Sequence, residues 1–368
     1  MMNNSRDFAK SWTINGRFLT QRMTGVQRYA YEIVDALDRI LAHPNDGMDV
    51  PAMRLAVPPG IEALPSLNRL GIFQTRFGSG HLWDQLVLPF YAGAGVLSLG
   101  NIGPLLARNH IVCIHDANTF ILPESYSRAF GVAYRKLLPL LGARVDRVAT
   151  VSRFSADMLA KYGICREDKI FIAPNGHEHV LRWDAGRAKI PVLSDLKRPY
   201  ILLLGSLAKH KNIEVILRQA QALDKAGIEI IVAGGALNVF AADAPTISRP
   251  NIHRVGFVGD DHLAALYKSA LCLVFPSTSE GFGIPPLEAM ALGCPVISSN
   301  AASLVEVGGD AVIYVDPGDG DRWREAIIAL SANDHLRASM SEKGRQRASL
   351  FSWKRSAAIH LNEIQGLL

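Results

Sequence analysis

The chain alternates short apolar runs of strand length with stretches whose apolar residues recur at helical spacing. Tyr200–Leu204 (YILLL), His110–Ile114 and Leu271–Phe275 are runs of the first kind. Val26, Tyr29, Ala30, Ile33, Val34, Leu37, Ile40 and Leu41 mark a helix of the second kind. Uncharged runs of four to eight residues suit strands covered on both faces, as in parallel sheets. Further strands are expected at 11–15, 53–57, 95–99, 147–151, 170–173, 228–232, 254–258, 296–299 and 312–315. With no hairpin signal anywhere, this alternation predicts an α/β chain of doubly wound parallel sheets. Residues 177–198 break the rhythm with weak periodicity, several charges and Pro191, and Tyr200 starts a fresh series. The chain is thus read as a first domain over 1–185, a linker over 186–198 and a second domain over 199–351. Two Rossmann-like domains facing a cleft are expected, and 368 residues are enough for two full cores.

Composition removes several classes. Hydrophobic content of 49% with 20% charged residues describes an ordered globular protein. Residues 85–107 carry no charge, but Pro89, Gly93, Gly95, Gly100, Gly103 and Pro104 would break a membrane helix there. The stretch reads as loop, buried strand and loop. Met1–Asp7 lacks the apolar core of a signal peptide. Cys113, Cys165, Cys272 and Cys294 show no C-x-x-C spacing, which suits reduced core thiols in the cytoplasm. Residues 1–185 hold 20 Lys and Arg against 16 Asp and Glu, so +4 of the formal +5 lies there. That excess fits contact with an anionic lipid surface, and equally an ordinary solvated face. It lacks the density of a nucleic-acid-binding stripe.

The stretch richest in chemistry is Ser279-Glu280-Gly281-Phe282-Gly283-Ile284-Pro285-Pro286-Leu287-Glu288. It follows the Leu271–Phe275 run, and Pro285-Pro286 preset a first helical turn that Gly293 can end. A strand, a loop and a helix N-terminus result, with the positive end of the helix dipole above the sheet. Gly281 and Gly283 allow close backbone approach. Glu280 and Glu288 beside an anion-binding helix end suit a ligand with both hydroxyls and phosphates, such as a sugar nucleotide. A plain surface loop and a capped helix fit the same residues. Gly25 between a strand and a helix is a second such loop. His115-Asp116 ends the His110–Ile114 run, where open α/β sheets place ligand-binding groups. Lys209 and Lys211 precede an expected helix of about fifteen residues and could neutralise a diphosphate or simply solvate the helix end.

Together, E-G-F-G-x-P-x-L-E over Glu280–Glu288, T-G-V-x-R-Y at Thr24–Tyr29 and G-x-L-x-x-x-K-N at Gly205–Asn212 resemble the GT4-type retaining glycosyltransferases of the GT-B fold. The resemblance implies that Glu280 holds hydroxyls of the donor hexose and Glu288 the ribose diol. It places Gly281, Phe282 and Gly283 at the diphosphate, with Lys211 on the donor phosphates. His115 would contact the donor sugar, the Gly25 loop would lie between diphosphate and acceptor, and Phe257 and Val258 would edge the nucleobase. Ser206 stands where some members carry Arg; it joins the donor-binding set, with Lys209 the nearest substitute cation. Phe351-Ser352-Trp353 matches the start of a final helix, 352–368, that completes the first domain.

The implied activity is metal-independent, retaining transfer of a hexose from a nucleotide-diphosphate sugar, GDP-mannose first. The implied acceptor is a glycan or polyprenyl-diphosphate-linked saccharide in surface polysaccharide synthesis. Catalysis would rest on Glu280, His115 and Lys211. No Asp-x-Asp suited to a bridging metal lies near them, and neither a metal nor a separate cofactor is expected. The setting would be the cytoplasm, at the inner face of the cell membrane, with no nucleic-acid partner. A sugar-nucleotide epimerase and a non-catalytic nucleotide-sugar-binding partner are the alternatives.

Overall fold

The computed structural model describes residues 10–43, 51–205, 208–235 and 247–368. Met1–Asp7, read above for a signal peptide, lies outside them. The chain forms two compact units, each around one parallel sheet.

The first unit takes the chain up to Ala117, Ala133–Gly176 and Ser352–Leu368. Its strands are β1 (Trp12–Asn15), β2 (Met53–Val57), β3 (Gly71–Gln74), β4 (Gly95–Ser98), β5 (His110–Cys113), β6 (Arg147–Thr150) and β7 (Ile170–Ile172), ordered β3-β2-β1-β4-β5-β6-β7. Every pairing is parallel, with Trp12 opposite Met53 and Ile14 opposite Leu97. Trp12, Ile14, Leu55, Leu97, Val112 and Val148 are fully buried, each removing enough apolar surface to stabilise the unit by about 1.5–3 kcal/mol against exposure. β3 was not expected: Gly-Ile-Phe-Gln is a half-exposed edge strand with no apolar run to announce it. Its register comes from β2, where Arg54 faces Gly71, and from the Thr75 N–H donating to the Val57 carbonyl at 2.9 Å.

The Trp353–Gln365 helix belongs to this unit and packs on the Gly25–Ala42 helix. Trp353, Ala357, His360, Leu361 and Ile364 form its buried stripe at helical spacing. Tyr29 meets it through a 2.7 Å hydrogen bond between its hydroxyl and His360 Nε2 and through edge-on contact with Trp353.

The second unit takes Asn118–Val132 and His177–Phe351. Its strands are β8 (Tyr200–Leu204), β9 (Glu229–Ala233), β10 (Ile252–Gly256), β11 (Cys272–Phe275), β12 (Val296–Ser299) and β13 (Ile313–Val315), all parallel in the order β10-β9-β8-β11-β12-β13. Ile201, Leu203, Ile230, Val274, Ile297 and Trp323 join one buried core. Three features differ from expectation. Residues 186–198 hold the end of a 3₁₀ turn, Ala185–Arg187, and the short helix Pro191–Asp195; the turn packs on the Asp260–Ser269 helix, and the Asp184 N–H donates to Asp261 Oδ1 at 2.8 Å. The helix expected after Asn212 is split into Glu214–Leu217 and Ala220–Lys225. β10 ends at Gly256 with φ +67°, so Phe257 and Val258 follow the strand instead of extending it.

All four cysteines are buried and free of disulfides. Among the described residues no helix is long and apolar enough to cross a membrane.

Candidate functional site

The Ile284–Ala291 helix stands where the sequence places it, after β11 and a loop over 276–283. Gly283 caps it with φ +105°, a left-handed conformation that a side chain strains. A Cβ there would also lie 2.7 Å from Leu304 Cδ2. Pro285 and Pro286 carry no N–H, so the tip offers fewer donors than an ordinary helix start. The N–H groups of Phe282, Gly283 and Ile284 donate to no other described residue.

Several of the loop's other polar groups are tied down by partners from outside it. Asn212 Nδ2 donates to the Pro276 carbonyl at 3.2 Å and to that of Pro317 at 2.7 Å. Ser299 Oγ donates to the Ser277 carbonyl, and the Thr278 N–H to that of His210 at 2.8 Å. Ser279 Oγ donates to Asn118 Oδ1 at 2.6 Å. Ser303 Oγ lies 2.8 Å from the Glu280 carbonyl and 2.9 Å from that of Phe282. With its carbonyls held from outside, the loop keeps its shape before any ligand arrives, which reduces the ordering cost of binding. Sequence reasoning missed Asn212, Ser299, Ser303 and Asn118 in this role. Only Asn212 carries a local signal, because Asn tolerates the left-handed φ of +50° that it adopts.

Lys211 and Glu280 meet. Nζ lies 2.7 Å from Oε1, with the two side chains 20% and 14% exposed. Lys211 ends the 3₁₀ turn Lys209–Lys211, and its ammonium lies 5.5 Å from the centre of the Phe275 ring. Burial pushes the Glu280 carboxyl up, but the Lys211 charge and its hydrogen bond outweigh that, leaving the pKa below the usual value. Burial, then the Lys211 charge, lowers His210 to about 4, so its ring is neutral at pH 7.

Glu288 lies inside the helix and is buried. His179 Nε2 donates to its Oε1 at 3.0 Å, and the Tyr267 hydroxyl to its Oε2 at 3.0 Å. The carboxylate is therefore gripped at both oxygens, and each oxygen keeps further acceptor capacity. Neither His179 nor Tyr267 was singled out in the sequence, since neither falls in a motif.

Lys209 is exposed, beside the Lys211–Glu280 pair in sequence but not part of it. Ser206 lies outside the described residues. Phe257 and Val258 line an open cavity of about 380 Å³ with Lys189, Ile190, Val255 and His262. In the first unit, Gly25 opens its helix directly after Thr24. His115 follows β5 and is buried, with Nε2 donating to the Leu99 carbonyl at 3.0 Å and the ring edge-on to Tyr29. Burial lowers it to about 4, so at pH 7 the ring is neutral and its Nε2 is committed to main chain. Among the described residues no three His, Cys, Asp or Glu side chains cluster as a metal-binding group.

Comparison with known proteins bears on this loop directly. Residues 187–347, which contain Lys211, Glu280 and Glu288, match the family model "Glycosyl transferases group 1". This stretch is a group 1 glycosyltransferase domain. The chain is 34% identical over 230 residues to the O-antigen chain mannosyltransferase RfbU of Salmonella typhimurium, covering 61% of each protein. It is 29% identical to the O-antigen chain mannosyltransferase B of Escherichia coli, over 68% of this chain and 69% of that one. The chain thus spans under two thirds of the first relative's length.

Solved structures extend the likeness beyond the group 1 domain. Sucrose-phosphate synthase from Thermosynechococcus elongatus superposes with a TM-score of 0.72 at 15% identity, covering 97% of this chain and 99% of that one. WaaG, a glycosyltransferase of lipopolysaccharide biosynthesis, gives 0.65 at 15%, covering 97% and 100%. The fold, two parallel-sheet Rossmann-like units, is that of the GT-B glycosyltransferases.

Proposed function

We propose that the chain is a hexosyltransferase that takes its sugar from a nucleotide-diphosphate donor and places it on a glycan or lipid-linked saccharide in surface polysaccharide synthesis. GDP-mannose is the first donor to test, because the relatives above are named as O-antigen mannosyltransferases. One observation carries the reading. A loop with several carbonyls fastened sets an ammonium, a carboxylate and three N–H groups that donate to no other described residue at one helix tip.

The chemistry follows from charge. The nucleoside diphosphate gains negative charge as the glycosidic bond breaks. The Lys211 ammonium and the N–H groups of Phe282, Gly283 and Ile284 meet that charge, aided by the helix dipole. Fixed donors of this kind need no reorganisation during the reaction, and losing one typically costs ~3 kcal/mol of transition-state stabilisation. Glu280, kept ionised by Lys211, accepts from hydroxyls of the hexose. Glu288 accepts from the ribose diol with the lone pairs that His179 and Tyr267 leave open. In the first unit, His115 is assigned to the donor sugar and the Gly25 loop to the diphosphate and acceptor by resemblance. A neutral His115 serves there as a hydrogen-bonding group and not as a cation. Retention of anomeric configuration and independence from metal belong to the same reading, and so does work at the inner face of the cell membrane.

A thermal-shift panel of GDP-, UDP-, dTDP- and ADP-sugars tests it, since a true donor raises the melting temperature by mass action. Stabilisation by GDP-mannose, with transfer to a mannose-containing acceptor, is expected. Stabilisation by none of the four contradicts the reading. Conversion of the donor without acceptor would mark an epimerase.

A further inference from the structure

The Lys211–Glu280 pair is framed by a segment that reaches it from far away in the sequence. Asn118–Val132 lies between β5 and β6 in the chain but belongs to the second unit. It begins with the short helix Asn118–Ile121. Pro123 then starts the 3₁₀ turn Pro123–Ser125, which packs on the turn Lys209–Lys211. Two of its side chains each touch the residue directly before one half of the ion pair. Asn118, buried, accepts at Oδ1 from Ser279 Oγ at 2.6 Å, and Ser279 precedes Glu280. The Tyr126 ring lies nearly parallel to that of His210, with 16° between the planes and 6.2 Å between the centres, and His210 precedes Lys211. Phe130 stacks in turn on Tyr126 at 5.7 Å and 15°.

These contacts close a circuit. The Thr278 N–H donates to the His210 carbonyl at 2.8 Å, which ties the two loops bearing the pair to each other. Asn118 ties one of these loops, and Tyr126 the other, to the same short segment. Consecutive Cα atoms are about 3.8 Å apart, so fixing Ser279 and His210 leaves the backbone of Glu280 and Lys211 little room to drift. Burial, then the Lys211 charge, holds His210 at about 4. The ring beside Tyr126 is therefore neutral at pH 7, and it does not compete as a second cation with Lys211 for Glu280.

We infer that Asn118 and Tyr126 are positioning residues for sugar transfer: acting through Ser279 and His210, they set where the Glu280 carboxylate and the Lys211 ammonium meet the donor. The inference rests on the donor-site reading above. Neither side chain needs to touch the donor for its loss to be felt, because a displacement of about 1 Å at the reacting groups can slow a reaction about a hundredfold. One hydrogen bond and one stacked pair are ordinary contributions to stability. Their place beside the ion pair is what gives them a share in the rate.

Steady-state transfer from GDP-mannose to a mannose-containing acceptor tests it, with kcat counted per GDP-binding site from calorimetric stoichiometry. A purely structural role lowers the number of sites and leaves kcat per site unchanged. Tyr126→Ser and Asn118→Leu are each expected to lower kcat per site by about 10- to 100-fold. Tyr126→Phe keeps the ring and should restore most of the rate. Ser279→Ala should match Asn118→Leu, and the double variant should be no slower than either, because both break the same bond. Since Ser279→Ala deletes a single oxygen, it carries the test if Asn118→Leu does not fold. Three results overturn the inference while the wild type still transfers: wild-type kcat per site in Tyr126→Ser or Ser279→Ala, a Tyr126→Phe as slow as Tyr126→Ser, or multiplicative losses at Asn118 and Ser279. A wild type that neither binds GDP nor transfers contradicts the donor reading and the inference together.

Discussion

Replacing Lys211 with Met removes the ammonium that lies near Phe275 while keeping an unbranched apolar stem. At 2.7 Å and an effective dielectric of about 20, the attraction between Lys211 and Glu280 is about 6 kcal/mol before desolvation is counted. The net effect is smaller. Removing one partner of a buried pair costs about 3–5 kcal/mol, and the 20% and 14% exposure of the two side chains puts this one near about 3 kcal/mol. That corresponds to a fall in melting temperature of about 6–12 °C for a unit of this size.

The loss depends on pH with a defined sign. In the wild type the Glu280 pKa is depressed, so its stabilisation is present above the unfolded carboxylate pKa and is lost as pH falls through the folded value. In the variant the largest influence opposing burial is gone and the carboxyl titrates higher. The two proteins therefore differ most near pH 7 and converge below about pH 4. Urea unfolding of both across that range measures the difference. Adding Glu280→Gln to Lys211→Met should recover most of the stability but no transfer activity. A variant as stable as the wild type at pH 7, a difference that ignores pH, or undiminished transfer would refute the reasoning.

Other outcomes follow from the same geometry. Gly283→Ala forces a side chain into φ +105° against Leu304 and should cost about 1–3 kcal/mol in urea unfolding, with weaker donor binding. Glu288→Gln should weaken GDP binding by about 10- to 100-fold in calorimetry, the size of one charge-assisted hydrogen bond, while transfer at saturating donor falls less. In the first unit, burial holds His110 and His360 at about 3 and His115 at about 4. Unfolded histidines bind protons below about pH 6.5 and these three do not, so stability should fall by about 1.4 kcal/mol per histidine per pH unit on acidification below that point. Circular dichroism melts between pH 7 and 5 measure it. His115 titrating at about 4 should also add no inflection to the transfer rate between pH 6 and 8.

The sheets were legible because strands of a parallel sheet are written as short, mostly apolar runs set between helical stretches. Met53–Val57, Tyr200–Leu204 and Val296–Ser299 begin and end where the sequence placed them. β3 was not legible, because an edge strand needs no such run and takes its register from β2. The Gly80–Leu86 helix was missed for a related reason: its outward face carries leucines where a solvated helix carries charge, so no amphipathic pattern shows. At the candidate site, the motif predicted a strand, a loop and a Pro-started helix, and the structure has them. What holds that loop comes from Asn118, Asn212, Ser299 and Ser303, distant in sequence and ordinary in type. Only the packed fold brings them to one place.

The central claim is that a donor diphosphate is received by the loop ending at Ile284. Amide hydrogen exchange with and without saturating GDP-mannose tests it at the atoms concerned. The N–H groups of Phe282, Gly283 and Ile284 donate to no other described residue and should exchange fast in the free protein. They should slow markedly with donor bound. Unchanged exchange at these three amides, with protection arising elsewhere in the chain, would contradict the claim.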